Sequence, residues 1–227
     1  MNPIPTKIVG VQFIEPEMIF MKEVKLPFKK EVLQTLRAGD EVLLSGVVFT
    51  ARDQVHKILF AKIRADQKKK KVPVFPFPVS GQTFYYSGPT PPPPGRVIGS
   101  AGPTTSSRMD RYTPLLLEYG LKGMIGKGER SAEVRLAVKK HSAVYFVTYG
   151  GCGALLASHV KEAKIVAFPE LGPEAVWRLV ILDFPAVVAI DSRGNVFPEI
   201  GYFRTPHPSL SPTGRGKVRG IKTYYGT

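Results

Sequence analysis

At 227 residues the chain can bury a core as one domain, and 43% hydrophobic against 22% charged residues excludes intrinsic disorder. No apolar run reaches 18 residues and no basic N-terminal region leads into an apolar segment, which excludes a membrane-spanning helix and a secretory signal and predicts a cytoplasmic protein. Cys152 is the only cysteine, so no internal disulfide can form, and the formal charge of +14 leaves an acidic ligand, an acidic partner or nucleic acid to be weighed.

In chain order, Phe28, Val32, Leu33 and Leu36 recur at helical spacing, which predicts a helix over Phe28–Leu36 stopped by Gly39. Glu41–Thr50, rich in Val, Leu and Phe, reads as a strand, and Val55, Ile58, Leu59 and Ile63 restore helical spacing over Arg52–Ala65. Thr83–Ser87 reads as a short strand, and the proline-rich Gly88–Gly95 as a stiff loop. A strand is expected over Val97–Ser100 and a helix over Ser106–Tyr119, which Pro114 should kink or split. Strands over Lys122–Ile125 and Ala143–Thr148 alternate with helices over Ser131–Lys140 and Gly153–Val160. Three further strands are expected, at Ile165–Phe168, Val176–Leu182 and Ala186–Asp191, with a turn at Arg193-Gly194-Asn195. Residues 1–202 then form a single mixed α/β domain. Phe203–Thr227, with three prolines and almost no aliphatic periodicity, is expected to be a flexible or strapping tail.

The run Gly102-Pro103-Thr104-Thr105-Ser106-Ser107-Arg108 carries the most chemistry. A Gly-Pro turn followed by hydroxyls suits a helix N-terminus, where amide N–H groups lack partners. Thr104 and Arg108 are four residues apart, so a helix that begins early enough places both on one face. A hydroxyl, a guanidinium and free amides make an anion site suited to a carboxylate. Lys127, between Gly126 and Gly128, would add a second cation, and Arg52 a third. All three cations follow predicted strands, where ligand crevices form in α/β folds. A capped helix with a Gly-rich turn, and a local Arg52–Asp53 ion pair of about 0.5 kcal/mol, would explain the same residues without a ligand.

The wider string resembles the β-subunit, or C-terminal domain, of the iron–sulfur hydro-lyases, the class I fumarases and L(+)-tartrate dehydratases. The resemblance is carried by Ala38-Gly39-Asp40 to Leu44-Ser45-Gly46, Thr50-Ala51-Arg52-Asp53 with His56, Tyr85-Tyr86-Ser87-Gly88-Pro89, the Gly102–Asp110 run, Met124–Gly128, Tyr149-Gly150-Gly151, and Asp183-Phe184-Pro185-Ala186 to Ile190-Asp191-Ser192. It implies a swivelling β/β/α domain: two sheets, one mainly parallel and one antiparallel, with helices packed on one side. It also implies reversible hydration of fumarate to L-malate with a 4Fe-4S cluster as Lewis acid. Such a cluster needs several thiolates, so one cysteine leaves it to a cluster-binding α-subunit, and this chain supplies no metal ligand. With only a short lead before the matching stretch, the chain reads as a separate β-subunit of a heteromer.

By the same resemblance Thr104 is the catalytic base. A free threonine hydroxyl is too weak for that task, so Arg108 must stabilise its alkoxide or another group must share it. Arg52, Arg108 and Lys127 grip substrate carboxylates, and His56, one turn after Arg52, contacts the substrate or the partner, or packs locally. The Lys68–Lys71 run lies in a loop, and no zinc spacing, RNP-like strand or convincing GXXG clamp accompanies it, so the charge is assigned to the dicarboxylate and the partner rather than to nucleic acid. The nearest alternative is an L(+)-tartrate dehydratase β-subunit. The remote one is a non-enzymatic dicarboxylate- or nucleic-acid-binding module.

Overall fold

Gly123–Gly126 and Val144–Val147 are buried at every position, the pattern of parallel strands covered on both faces. They are the centre of a sheet in the computed structural model, which describes residues 21–198. The tail expected over 203–227 lies outside the described residues. The strands are β1 (Lys22–Leu26), β2 (Glu41–Thr50), β3 (Thr83–Tyr85), β4 (Gly123–Gly126), β5 (Val144–Val147), β6 (Val160–Ala167) and β7 (Val176–Ile190). The helices are α1 (Lys30–Thr35), α2 (Asp53–Lys68), α3 (Thr113–Glu118), α4 (Ala132–Lys140) and α5 (Gly153–Ser158), with 3₁₀ segments at Ser106–Met109 and Pro169–Glu174. Among these helices none is long and apolar enough to cross a membrane.

Strands β1 to β5 pair in parallel in sequence order. Strand β7 runs antiparallel to β5 and β6, and also to β2 along 41–49. The pairings β2–β3–β4–β5–β7–β2 therefore close a ring, with β1 and β6 as its flaps. The two separate sheets expected from the resemblance are thus one continuous hydrogen-bonded sheet. The physical reason is the length of β7: at 15 residues it reaches both the antiparallel flap and the parallel set. Two strands were expected where β7 runs, because Asp183-Phe184-Pro185 breaks the alternation. The break is a bulge, not an end. The register slips between Leu44 and Gly46, Asp183 takes φ of 51°, and the Asp183 N–H donates to Ser45 Oγ at 2.9 Å.

Alternate residues of the ring feed two cores. Val42, Leu44, Val48, Tyr85, Ile125, Phe146, Leu179 and Val188 form one cluster, closed by Leu33 of α1 and Leu156 and Ala157 of α5. Phe49, Phe84, Met124, Tyr145 and Val147 point the other way, against Val55, Leu59 and Ile63 of α2, Leu115–Leu117 of α3 and Val134 and Val138 of α4. Helices consequently serve both faces, not the one side expected, since strands buried on both faces need cover on both.

Most other elements follow the periodicity, but α5 stops at Ser158 and β6 begins at Val160, five residues before the expected Ile165–Phe168 strand, because it pairs along β7. Pro114 splits the long helix into a 3₁₀ turn and α3, with the proline in the first turn where no N–H is needed. Ser131 caps α4, its hydroxyl accepting from Val134 N–H at 3.3 Å. No strand forms over 97–100. The donors there turn back on Thr90 instead, Gly99 N–H to its carbonyl and Ser100 N–H to its hydroxyl. Strand β1 had no sequence signal, because charged residues alternate with only Val24 and Leu26 at its buried positions.

Gly46 holds β1 against the bulge at φ of 133°, where a Cβ would overlap the Leu26 carbonyl. Gly46→Ala should lower stability by about 1–3 kcal/mol in urea titrations. An unchanged midpoint would show that β1 yields without cost.

Candidate active site

Because β2, β3 and β4 are parallel, their C-terminal ends share one rim. From β2, Ala51 N–H donates to the Tyr85 carbonyl at 3.0 Å and delivers Arg52 to the N-cap of α2. From β3, Tyr86 N–H donates to the Ile125 carbonyl at 2.8 Å, and Ser87 bridges to Pro103. Thr104 N–H then donates to the Tyr86 carbonyl at 2.6 Å, Thr105 bridges to Lys127, and Ser106 N–H donates to the Lys127 carbonyl at 3.0 Å. The segment 103–106 is thus stitched in extended form between the ends of β3 and β4. Gly126 permits this approach, since a Cβ there would overlap Ser106 Oγ.

The expectation that Thr104 and Arg108 share a helix face is corrected here. The 3₁₀ turn begins at Ser106, and the Thr104 amide is committed to Tyr86 rather than to a helix. Arg108, half-exposed, instead turns toward α2, its Nε 2.8 Å from Asp53 Oδ1. Asp53 Oδ2 lies 3.8 Å from Arg52 Nε, and Arg52 Nη2 lies 3.6 Å from Glu174 Oε1. Glu174, from the second 3₁₀ segment, also accepts the Gln54 N–H at 3.0 Å and so caps α2 from a distance in sequence. Lys127 stands on the β4 side of the stitched segment, in an open cleft of about 540 Å³ with Thr105, Ser107, Asp110 and Gly128. The structure therefore joins Arg52 and Arg108 through Asp53, and lays the Thr104 segment between the ends of β3 and β4, beside Lys127.

His56 goes elsewhere. It is fully buried, with Nδ1 2.9 Å from the Arg52 carbonyl and its ring edge-on to Tyr86 at 5.2 Å and Phe84 at 6.0 Å. A carbonyl only accepts, which assigns the proton to Nδ1 and leaves Nε2 an acceptor without a hydrogen-bond partner among the described residues. The ring thus packs inside the chain against Phe84 and Tyr86 and does not open on the rim beside Arg52 and Arg108. Burial pushes the His56 pKa down to about 4 against the opposing hydrogen bond to Arg52, so the ring is neutral at pH 7. The signal was present in the sequence, as His56 shares the face of α2 with Leu59 and Ile63.

Arg130 carried no such signal, yet its side chain is the most buried charge in the region. Its Nε lies 2.6 Å from Asp110 Oδ1, its Nη2 donates to Thr113 Oγ1 at 2.7 Å, and its guanidinium stands 5.4 Å over Tyr86 and 5.0 Å over Tyr145. Burial works against the charge, but Tyr86, Asp110 and Tyr145 outweigh it and the Arg130 pKa is raised. Asp110 Oδ2 also accepts Ser131 N–H at 2.6 Å, and Tyr145 OH bonds to the Gly128 carbonyl at 2.7 Å and to Ser106 Oγ at 2.9 Å. This network braces the loops on either side of Lys127.

Among the described residues no three His, Cys, Asp or Glu side chains converge on a metal position, and the sequence holds one cysteine. A 4Fe-4S cluster needs several thiolates, so the residues of this chain do not fit one.

The cations and hydroxyls thus stand at the C-terminal ends of parallel strands, the side of an α/β sheet where ligand crevices form. Residues 11–200 match the family described as Fumarase C-terminus, and the chain belongs to that family. It is 38% identical over 179 residues to fumarate hydratase 2 of Leishmania major, covering 76% of this chain and 30% of that protein. It is likewise 38% identical over 173 residues to the anaerobic class I fumarate hydratase of Escherichia coli K12, covering 74% of this chain and 30% of the enzyme. A Methanocaldococcus jannaschii protein provisionally named L(+)-tartrate dehydratase subunit beta is 36% identical over 179 residues, covering 76% of this chain and 88% of its own length. The chain thus spans about a third of the fumarase relatives and most of the tartrate dehydratase subunit.

Two outcomes follow from this packing. Arg130→Ala strands the Asp110 carboxylate and should cost about 3–5 kcal/mol in urea denaturation, whereas a loss under ~1 kcal/mol would show that water replaces the guanidinium. For His56, the unfolded chain takes up its proton near pH 6.5 and the folded chain only near 4. Its contribution is complete above pH 6.5 and lost as pH falls through that window, by about 3 kcal/mol. His56→Leu should flatten this part of the stability–pH curve, measured as urea midpoints from pH 7 to 4.

Proposed function

We propose that this chain acts as the β-subunit domain of a 4Fe-4S-dependent hydro-lyase that interconverts fumarate and L-malate. The observation that supports the reading is that Arg52, the Thr104 segment and Lys127 leave the C-terminal ends of β2, β3 and β4, with Arg108 tied to the Arg52 side through Asp53. The cluster belongs to a cluster-binding α-subunit, against which this domain serves as the swivelling partner in a cytoplasmic heteromer. Two carboxylates on a small substrate call for cations on separated positions, and the Arg52–Arg108 pair and Lys127 supply them from either side of the Thr104 segment.

In the malate direction a proton must leave the carbon beside one carboxylate, and charge then builds on that carboxylate's oxygens. A guanidinium already in place stabilises this charge without reorganising at the moment of reaction. In this reading Thr104 takes the proton as an alkoxide, which requires a cation near its oxygen in the assembled site. Its amide bond to Tyr86 holds the residue in extended backbone, so the side chain is placed by the sheet and not by a helix. His56 serves from beneath, its ring holding the Arg52 carbonyl.

A second reading has its own support. The chain covers 88% of the Methanocaldococcus jannaschii tartrate dehydratase subunit but only 30% of the fumarases. An L(+)-tartrate dehydratase would use the same cations on a dicarboxylate of equal length.

The purified chain should be colourless and inert toward fumarate, malate and tartrate, and should gain turnover on anaerobic reconstitution with a cluster-binding subunit. An iron–sulfur absorption band on this chain alone would overturn the assignment. In the assembled enzyme Arg108→Lys keeps charge but loses the fork, and kcat/KM should fall about 10²-fold. Thr104→Ala should act mainly on kcat and Lys127→Ala mainly on KM. Near-normal kcat for Thr104→Ala in a folded, cluster-loaded complex would move the base to the partner.

A further inference from the structure

Resting on the functional reading above, we infer that Asp53 is a positioning residue that sets the orientation of the Arg52–Arg108 clamp, with Glu174 as its second arm. The side chain of Arg108 is half-exposed, and a long cationic side chain in that setting samples many rotamers unless something holds it. Asp53 holds it by one edge. The 2.8 Å contact engages Nε, which leaves the Nη1/Nη2 end of the planar fork for a carboxylate from outside. Asp53 is itself immobilised in the first turn of α2, where the helix dipole favours its charge.

The same carboxylate faces the second arginine. Asp53 Oδ2 and Arg52 Nε are both buried, stand 3.8 Å apart, and have no hydrogen-bond partner among the described residues. Arg52 is flanked from the far side by Glu174, whose other oxygen is tied to Gln54 N–H. Gly88 leaves room for this packing, since a Cβ there would come within 2.7 Å of both Arg52 Nη1 and the Pro173 carbonyl. The result is a row of alternating charge, Glu174–Arg52–Asp53–Arg108, that spans three separate parts of the chain. One carboxylate orienting two forks is a different device from a carboxylate that competes with the ligand. The two make opposite predictions: loss of a competitor tightens substrate binding, whereas loss of an orienting group weakens it.

The test is a double-mutant cycle in the enzyme assembled with its cluster-binding subunit, read on fumarate, malate and tartrate. Asp53→Ala should lower kcat/KM by about 10- to 100-fold, chiefly through a higher KM. Asp53→Asn keeps the size of the side chain and an oxygen beside Arg108 but not the charge, and should recover only part of that loss. In an Arg108→Lys background, where only the Arg52 fork remains to be oriented, Asp53→Ala should cost clearly less than it does in the wild-type background. A lower KM in Asp53→Ala, or full additivity with Arg108→Lys, would overturn the inference. A second measurement is independent of turnover: in the full chain, the Arg108 Nε–H resonance should lose its carboxylate-induced shift in Asp53→Ala, and an unmoved resonance would refute the contact. Should the wild-type complex turn over none of the three substrates, the functional reading falls, and the resonance still decides whether Asp53 orients Arg108.

Discussion

A buried guanidinium is tolerable only where charge and hydrogen bonds replace water, and the loops that carry the candidate site are arranged around that requirement at Arg130. Asp110 gives it a carboxylate, Thr113 a hydroxyl, and Tyr86 and Tyr145 give it ring faces. Each of these groups belongs to a different element: the segment before α3, α3 itself, the end of β3, and β5. Satisfying one charge therefore fixes four pieces of chain relative to one another. Tyr145 passes the constraint on to Ser106 and Gly128, so the backbone on both sides of Lys127 is set by the same cluster. A salt bridge of this kind is weak support for net stability, but its loss is costly, and that asymmetry suits a site whose geometry must not drift.

The rim above it works by geometry more than by net charge. Arg52 and Arg108 stand beside Asp53 and Glu174, so the local charge on that side is balanced. What remains selective is the planar fork and the direction it faces. The Arg108–Asp53 pair, half open to solvent, contributes little to stability, on the order of 0–1 kcal/mol. Its value in the proposed function is orientation. His56 adds a neutral counterpart below the rim, where a charged ring would disturb the balance.

The closed ring explains why the rim is rigid. A purely parallel set from β1 to β5 would leave an open edge at β5. Strand β7 covers that edge and returns along β2, so no ring strand can slide without breaking pairings on both sides. The bulge at Ser45 and Asp183 lets one long strand serve two sets of neighbours. Helices on both faces then complete two cores in place of one.

Periodicity alone was enough for most elements, because alternation and helical spacing follow from local backbone geometry. Strand β2 has the bounds that its Val, Leu and Phe content implies, and Pro114 splits its helix as a residue without an N–H must. The cations were legible too, since Arg52 and Lys127 directly follow strands that the sequence pattern marks. Contacts between segments distant in sequence were not legible. Glu174 meets Arg52 across 122 positions, Arg130 meets Tyr86 across 44, and β7 meets β2 across more than a hundred. Thr104 lost its expected helix because a tertiary partner, the Tyr86 carbonyl, took its amide. The residue types at this site and the ends of the strands that bear them are thus properties of the amino-acid sequence. Which way each side chain faces was decided only in the folded chain, where buried charge must find its partner and every buried amide its acceptor.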